Sequence, residues 1–223
     1  MSKRTAAGRP VSSAAEDYLK AIFQLEGSKG VSTKALADHL GISQPSVTAM
    51  TKKLATDALV VRVPYRGVSL TPAGRRIALE VLRHHRLLEL FLADSLGLPL
   101  DEVHAEADRL EHVLSEELEA RIDAALGYPT HDPHGDPIPD PELRLATPEK
   151  RTLCELEPGE STTVARVPDW DAELLRYLGE LALVPGAAVE IVAQAPFGGP
   201  ITVRSDSGEH AIARELAGTI AVS

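Results

Sequence analysis

The fold is decided by the stretch Ser32–Leu70, STKALADHLGISQPSVTAMTKKLATDALVVRVPYRGVSL. Ser32 or Thr33 can cap a short helix that Gly41 ends, and Ser43 can cap a second helix after the turn. β-Branched residues on both sides of a further turn predict a two-stranded hairpin. Helix, three-residue turn, helix and hairpin, in this order, predict a winged helix-turn-helix.

The second helix of this motif is the one that enters the major groove of double-stranded DNA. Its outward residues are small and polar, and glutamine can pair with adenine while lysine neutralises phosphates. The residues predicted to bind DNA are Ser43, Gln44, Pro45, Ser46, Thr48, Thr51 and Lys52 on the helix, and Arg62 and Arg66 on the hairpin. The alternatives are a helix-turn-helix that binds only protein and a polar face that is merely solvated.

Charge divides the 223 residues into two unlike parts. Residues 1–86 hold 14 Lys and Arg against 6 Asp and Glu, a net charge of +8. Residues 87–223 hold 9 against 27, a net charge of −18, and the whole chain carries −10. A basic part can neutralise phosphates, whereas an acidic part can collect cations. The single cysteine, Cys154, leaves metal binding to oxygen and imidazole ligands.

Periodicity outside the motif predicts further helices. The predicted ranges are residues 13–26, Thr71 to about Leu96, and Asp101 to about His112. The apolar run LLELFLADSLGL is wider than one core-facing stripe needs, so we expect a partner subunit to cover it. Residues 127–149 are rich in proline and form a connector, after which short alternating segments predict a small SH3-like β-barrel.

We therefore predict a mainly α fold of three domains. Residues 1–74 form the winged helix-turn-helix, residues 75–147 a helical domain and residues 148–223 the SH3-like barrel. No apolar stretch has the length of a signal peptide or of a membrane span, so we expect a soluble, cytoplasmic protein without a membrane partner.

The acidic part carries a pattern of metal-ligating residues. Asp108, Glu111 and His112 stand at positions i, i+3 and i+4, with His104 on the same predicted helical face. Two carboxylates and an imidazole in this spacing can converge on one divalent ion. The preceding helix carries a second pair at i and i+4, formed by His85 and Glu89. The alternative is a metal-independent DNA-binding module with a solvated acidic face.

Five segments resemble, in order and spacing, the diphtheria toxin repressor family of iron- and manganese-dependent transcriptional regulators. They are AAEDYLKAIFQLE, VSLTPAGRRIA, RHHRLLELFL, VHAEADRLEHVLS and PHGDPIP. The resemblance covers nearly the whole chain. It implies a homodimer in which metal orders the domains so that two recognition helices meet a palindromic operator. It also implies that residues 75–147 bind metal and dimerise, and that residues 148–223 are an FeoA-like domain.

The resemblance implies a primary metal site of Asp17, Asp108, Glu111 and His112, with His85 added in some manganese-type members. Asp17 lies in the DNA-binding domain and the other ligands lie outside it, so a shared ion would favour the DNA-competent arrangement. Iron-type members have Met and Cys in place of Asp17 and Asp108. Two carboxylates at these positions favour Mn(II) over Fe(II).

An ancillary metal site is implied in two versions. One has the ligands His85, Glu89 and His104, and the other has Glu89, Asp132, His134 and Asp171. Two departures from the family stand out. Leu174 lies where iron-type members have an amide ligand, and Lys20 lies where some manganese-type members have a Glu, which argues against a two-ion cluster.

The predicted function is a Mn(II)-activated, DNA-binding repressor of metal-homeostasis genes without enzymatic activity. The alternative within the family is a regulator that responds to Fe(II). The alternative from another class is a metallohydrolase that uses the same ligands to activate water, although the chain offers no nucleophile motif and no phosphate loop.

Overall fold

The computed structural model describes residues 10–27, 30–63, 67–147 and 149–223, and the chain divides into two compact units. The first unit comprises Met1–His85, Leu110–Arg121 and Pro139–Leu145. The second comprises Arg86–Arg109, Ile122–Ile138 and Ala146–Ser223. Within the described ranges, no helix combines the length and the apolar character that a membrane crossing needs.

The first unit begins with the winged helix-turn-helix, which confirms the prediction. Its elements are α1 (Ser13–Leu25), α2 (Thr33–Leu40), α3 (Gln44–Thr56) and the antiparallel strands β1 (Val60–Val63) and β2 (Gly67–Leu70). The side chains of Ser12, Ser32 and Ser43 each accept a backbone N–H at the start of one helix. Gly41 ends α2 in the left-handed conformation, with φ at 65°.

One apolar core holds these elements together. Leu19 and Ile22 of α1, Leu36 of α2 and Leu54 of α3 are fully buried in it. Burying each such side chain stabilises the fold by about 1.5–3 kcal/mol. Because the core fixes α1 against α2 and α3, the polar residues on the other side of α1 also have a defined position.

Three longer helices follow, namely α4 (Pro72–Leu96), α5 (Leu100–Leu110) and α6 (Glu116–Ala125). Helix α5 ends two residues before the predicted end at His112. Residues 111–113 form a turn, in which the N–H of Val113 donates to the carbonyl of Leu110 at 3.0 Å. Glu111 and His112 are therefore presented by a turn and not by a helical face.

The second unit contains a five-stranded antiparallel sheet with the order β6-β5-β4-β3-β7. The strands are β3 (Ser161–Arg166), β4 (Ala188–Gln194), β5 (Ile201–Ser205), β6 (Gly208–Ile212) and β7 (Ala221–Val222), accompanied by α7 (Ala172–Glu180), α8 (Arg214–Ala217) and a 3-10 helix (Leu153–Glu155). The predicted SH3-like domain is therefore present as a small open sheet and not as a closed barrel, because β6 and β7 are the two edges of the described sheet. On its other side, within the part of the chain that the structure describes, β7 makes only a single bridge, between Ala221 and Thr152.

Candidate metal centre and nucleic-acid interface

A cluster of metal-ligating side chains lies in the first unit. It consists of Asp17, Glu111 and His112, whose ligand atoms lie within 4.8 Å of one another, and is termed the first cluster. The Nε2 atom of His112 is 2.8 Å from Oδ1 of Asp17 and 3.4 Å from Oε1 of Glu111. Two carboxylates and one imidazole are ligands that suit Mn(II) or Fe(II), so the residues fit a divalent ion.

Helix α1 and the turn after α5 bring the first cluster together. Asp17 follows the capped start of α1 and has 45% of its side chain exposed, whereas the side chain of Glu111 is 1% exposed. The backbone carbonyl of Glu111 lies 3.0 Å from Nδ1 of His84, and Nε2 of His84 lies 2.9 Å from Glu119. His84 on α4 therefore fixes the turn that carries two of the three ligands.

The half-buried carboxylate of Glu119 holds His84 in place. It lies 2.5 Å from Nε of Arg83 as well as facing His84. Burial raises the pKa of Glu119, but the hydrogen bonds and charges of His84 and Arg83 outweigh burial and hold its pKa below the ordinary value. No local pattern singles out His84, because its partners lie far along the chain.

Two carboxylates face the imidazole of His112. Besides Asp17 at Nε2, Oε2 of Glu16 lies 2.7 Å from Nδ1. The hydrogen bonds to Asp17 and then to Glu16 raise the pKa of His112 to about 9, although burial lowers it. Without an ion the imidazole is therefore protonated at neutral pH. Glu16 was not among the predicted site residues, and its contact with His112 was missed.

Glu111 also faces a lysine and a second histidine. The Nζ atom of Lys20 lies 2.7 Å from Oε1 and 2.8 Å from Oε2 of Glu111. The Nδ1 atom of His85 lies 2.6 Å from Oε2 of the same carboxylate. The structure thus places His85 beside a predicted primary ligand, and it places the ammonium of Lys20 there too.

Asp108, the fourth predicted primary ligand, belongs to the second unit. It lies on α5 with 49% of its side chain exposed, and its Oδ2 atom is 3.6 Å from Nε2 of His104. The Nδ1 atom of His104 lies 3.0 Å from Oε1 of Glu89. The place of Asp108 in the primary site stays a prediction.

A second cluster lies within the second unit and consists of Glu89, Asp132 and His134. All three residues are buried, and their ligand atoms lie within 4.8 Å of one another. The Nδ1 atom of His134 is 3.8 Å from Oε2 of Glu89. Burial and then the charge of Glu89 raise the pKa of Asp132 well above its ordinary value, because a buried carboxylate beside another is costly to ionise.

The connector holds the second cluster in shape. Oδ1 of Asp132 accepts the backbone N–H groups of His134 and Asp136, both at 2.9 Å. The Nε2 atom of His134 lies 3.3 Å from the carbonyl oxygen of Leu100. A proton on Nε2 satisfies this carbonyl and leaves a lone pair on Nδ1, which is the usual arrangement of a metal-binding histidine.

Two buried ligand atoms of this cluster have no hydrogen-bond partner among the described residues, namely Nδ1 of His134 and Oδ2 of Asp132. The Nε atom of Arg86 lies 3.4 Å from Oδ2 of Asp132. Buried polar atoms are nearly always satisfied, so two orphaned ligand atoms in one cluster fit a bound cation.

Asp171, another predicted ancillary ligand, is not part of the second cluster. It is exposed, and its Oδ1 atom accepts the N–H groups of Glu173 at 2.8 Å and Leu174 at 3.3 Å. Asp171 therefore caps α7, which accounts for this carboxylate without an ion.

Helix α3 carries most of the residues predicted to bind DNA. Those that are exposed are Ser43, Gln44, Pro45, Ser46 and Lys52, and Thr48 is half-buried. Thr51 needs a correction, because it is buried and its hydroxyl donates to the carbonyl of Val47 at 2.8 Å. Arg62 on β1 is exposed, and Arg66 lies outside the described residues.

Three family models match the chain in succession. Residues 11–68 match "Iron dependent repressor, N-terminal DNA binding domain", residues 71–140 match "Iron dependent repressor, metal binding and dimerisation domain", and residues 151–223 match "FeoA domain".

Similar proteins agree with these matches. The iron-dependent repressor IdeR of Mycobacterium leprae is 36% identical over 190 residues, which is 79% of this chain and 82% of IdeR. The diphtheria toxin repressor of Corynebacterium diphtheriae is 40% identical over 125 residues, 56% of this chain and 55% of that repressor. A solved manganese-dependent transcriptional repressor in complex with manganese has a TM-score of 0.83 and 42% identity, covering 93% of this chain and 98% of its own.

The family matches, the winged helix-turn-helix and the two clusters of metal-ligating side chains agree with one another. The chain therefore belongs to the diphtheria toxin repressor family, whose members are metal-dependent, DNA-binding repressors of transcription and not enzymes.

Proposed function

We propose that this chain is a Mn(II)-activated repressor that binds palindromic operator DNA as a homodimer. The observation that carries the proposal is the first cluster, which joins Asp17 of α1 to Glu111 and His112 of the turn after α5. Because α1 shares its core with α2 and α3, holding Asp17 also holds the recognition helix. A bound divalent ion would supply positive charge that two carboxylates and a neutral imidazole can share.

The proposed primary ligands are Asp17, Glu111 and His112, with Asp108 added from the resemblance. Hard carboxylate oxygens favour Mn(II). The names of relatives point to both metals, since the solved neighbours include the manganese regulator SloR and the sequence relatives include the iron-dependent IdeR. A regulator that responds to Fe(II) is therefore the second candidate.

The second cluster is the proposed ancillary site, with Glu89, Asp132 and His134 as its ligands. Its support is the pair of buried, unsatisfied ligand atoms on Asp132 and His134. Asp132 and His134 lie in the connector, whereas Glu89 lies on α4. An ion bound at this site would therefore hold the connector against α4.

Three domains are also proposed, with the boundaries 1–74, 75–147 and 148–223. The family matches over residues 11–68, 71–140 and 151–223 support these boundaries. The match to a dimerisation domain and the broad apolar run of α4 support a homodimer. Sedimentation of the full chain measures the subunit number, and a monomer in the presence of both Mn(II) and DNA would contradict this part.

Gel shifts test the metal dependence. A duplex selected from a random pool by the Mn(II)-loaded chain serves as the probe, and its sequence also reports whether the preferred site is palindromic. Binding is then titrated with buffered free Mn(II), Fe(II) without oxygen, and Zn(II). We expect a gel shift only when metal is present. For each metal, the free concentration that gives half of the shift is divided by the free concentration of that metal in the cell, and we expect this ratio to be lowest for Mn(II). Equal shifts in EDTA and in Mn(II) would overturn the proposal.

A matched pair of variants tests the site. Asp17→Asn keeps the shape of the side chain but removes its charge, so we expect the metal response to weaken by on the order of tenfold to a hundredfold. Asp38→Asn is the control, because Asp38 is exposed on α2 and pairs with Lys34 on the surface at 2.8 Å. A normal metal response by Asp17→Asn would remove Asp17 from the site.

A further inference from the structure

The ammonium of Lys20 lies in a position that is built like a cation site. Both carboxylate oxygens of Glu111 are within 2.8 Å of Nζ, and Nδ1 of His85 is 3.4 Å away. The side chain of Glu111 is 1% exposed and that of Lys20 is 12% exposed. Two carboxylate oxygens and one imidazole nitrogen therefore surround a positive charge that the chain itself supplies.

The partner of Lys20 is also a member of the first cluster. Glu111 belongs with Asp17 and His112, and its Oε1 atom faces both Lys20 and Nε2 of His112. An ion that takes Glu111 as a ligand must share this carboxylate with the ammonium or displace it. Two positive charges at one buried carboxylate repel each other strongly, because water screens them little there.

The pair of Lys20 and Glu111 also links two elements without any metal. Lys20 lies on α1, and Glu111 lies in the turn after α5. A buried carboxylate that loses its ammonium partner is strongly destabilised, so the pair stabilises the ion-free protein. The stabilisation by the Lys20–Glu111 pair is lost, in whole or in part, when an ion binds Glu111.

We propose that Lys20 is a tethered competitor of the metal ion, which neutralises Glu111 in the ion-free protein and thereby sets the metal concentration at which the regulator responds. The inference rests on the proposed function, since it requires that Glu111 be a metal ligand. It assigns Lys20 the role of a positioning and affinity-determining residue, while the ligands themselves remain those of the first cluster.

The test measures Mn(II) binding to the full chain by competition with a fluorescent chelator. Lys20→Met keeps the length and the apolar stem but removes the charge, and we expect Mn(II) to bind on the order of tenfold more tightly. Lys20→Arg keeps the charge and should bind Mn(II) with close to the wild-type affinity. Lys34→Met is the control, because Lys34 is exposed and pairs with Asp38 on the surface.

Thermal melting in EDTA provides the second readout. Lys20→Met should melt at a lower temperature than wild type, because Glu111 is left buried without its ammonium, whereas Mn(II) should restore more stability to the variant than to wild type. Lower stability together with unchanged or weaker Mn(II) binding would mean a purely structural role and would overturn the inference.

The two proposals fail in different ways. If wild type binds Mn(II), and the Asp17→Asn variant weakens this binding, but Lys20→Met leaves it unchanged, only the role of Lys20 is wrong. If neither wild type nor Lys20→Met binds Mn(II), both proposals are wrong.

Discussion

Nε2 of His112 lies 2.8 Å from Oδ1 of Asp17, so helix α1 and the turn after α5 share a hydrogen bond. The imidazole nitrogen that donates this bond is also one that a metal ion would need in its neutral form. Protonation of His112 and metal binding through this nitrogen are therefore alternatives. In the ion-free protein, the proton on Nε2 makes the connection that we propose an ion makes in the loaded protein.

This relationship makes metal binding dependent on pH. The carboxylates of Asp17 and Glu16 raise the pKa of His112 to about 9, so an ion that binds below this pH must displace a proton. We expect Mn(II) affinity to rise by up to about tenfold per pH unit until the pH reaches this pKa. Calorimetry in two buffers that differ in ionisation enthalpy should detect about one proton released per ion near neutral pH. Binding without proton release would contradict the assignment of His112 as a ligand.

The stability of the ion-free protein should also depend on pH, in the opposite direction. Because the pKa of His112 is raised from 6.5 to about 9, its contribution is complete below the lower value and is lost as the pH rises through the higher one. We expect the melting temperature in EDTA to fall between these two pH values. The control is His112→Gln, which lacks the titrating group and should show a smaller fall. An equal fall in both proteins would show that other groups cause it.

The elements of the helix-turn-helix could be predicted because their signals are local. Ser32, Ser43 and Gly41 each act within a few residues of their own position, as caps at helix ends. Thr51 shows that one local signal was overlooked. It lies four residues after Val47 and three before Leu54, which are both buried, so helical periodicity alone places it on the core side.

The chemistry around the first cluster could be predicted only in part. The spacing of Glu111 and His112 singled them out, whereas Glu16, Lys20 and His84 reach them through contacts between distant parts of the chain. Such contacts depend on how α1 packs, which no short pattern in the sequence encodes. The burial of polar side chains in the connector could not be predicted either, because no pattern in the sequence shows that this polar segment is enclosed.

Helix α3 allows a test of which of its faces binds DNA. Gln44 is exposed at its start, so Gln44→Ala should cost about 1–3 kcal/mol of binding to the preferred duplex, with Mn(II) present. Thr51→Val should leave DNA affinity unchanged, because Thr51 is buried and its hydroxyl donates to carbonyl groups of its own helix, those of Val47 and Thr48. Fluorescence anisotropy measures both. A larger loss of DNA affinity for Thr51→Val than for Gln44→Ala would contradict the proposal that the face of α3 with Gln44 binds DNA.

The second cluster predicts a separate effect of metal on stability. In Asp132→Asn the amide oxygen can still accept the N–H groups of His134 and Asp136, but the charge that an ion needs is gone. We expect the variant to bind one Mn(II) fewer per chain and to gain less melting temperature from Mn(II) than wild type does. Asp206→Asn is the control, because Asp206 is exposed in the same unit. Unchanged stoichiometry would exclude Asp132 as a ligand.

Gly135 lies in the connector between His134 and Asp136, whose N–H groups both donate to Asp132. Only glycine fits at this position. Its φ is +91°, and an added Cβ would meet the carbonyl oxygen of Ala165 on β3. Gly159 is a matched control, because its φ is +90° but nothing lies within 4 Å of an added Cβ. Gly159→Ala should therefore report backbone strain alone, about 1–3 kcal/mol of unfolding free energy.

Gly135→Ala should cost more than Gly159→Ala, because the connector must also move away from β3. Such a movement displaces His134, whose carbonyl accepts the N–H of Val167 at 2.9 Å. We therefore expect Gly135→Ala to lower the melting temperature further and to lose the Mn(II)-dependent stabilisation from the second cluster, whereas Gly159→Ala keeps it. Calorimetry with EDTA and with Mn(II) separates the two effects. Equal melting temperatures and equal responses to Mn(II) would mean that the contact between the connector and β3 does not hold the second cluster in shape.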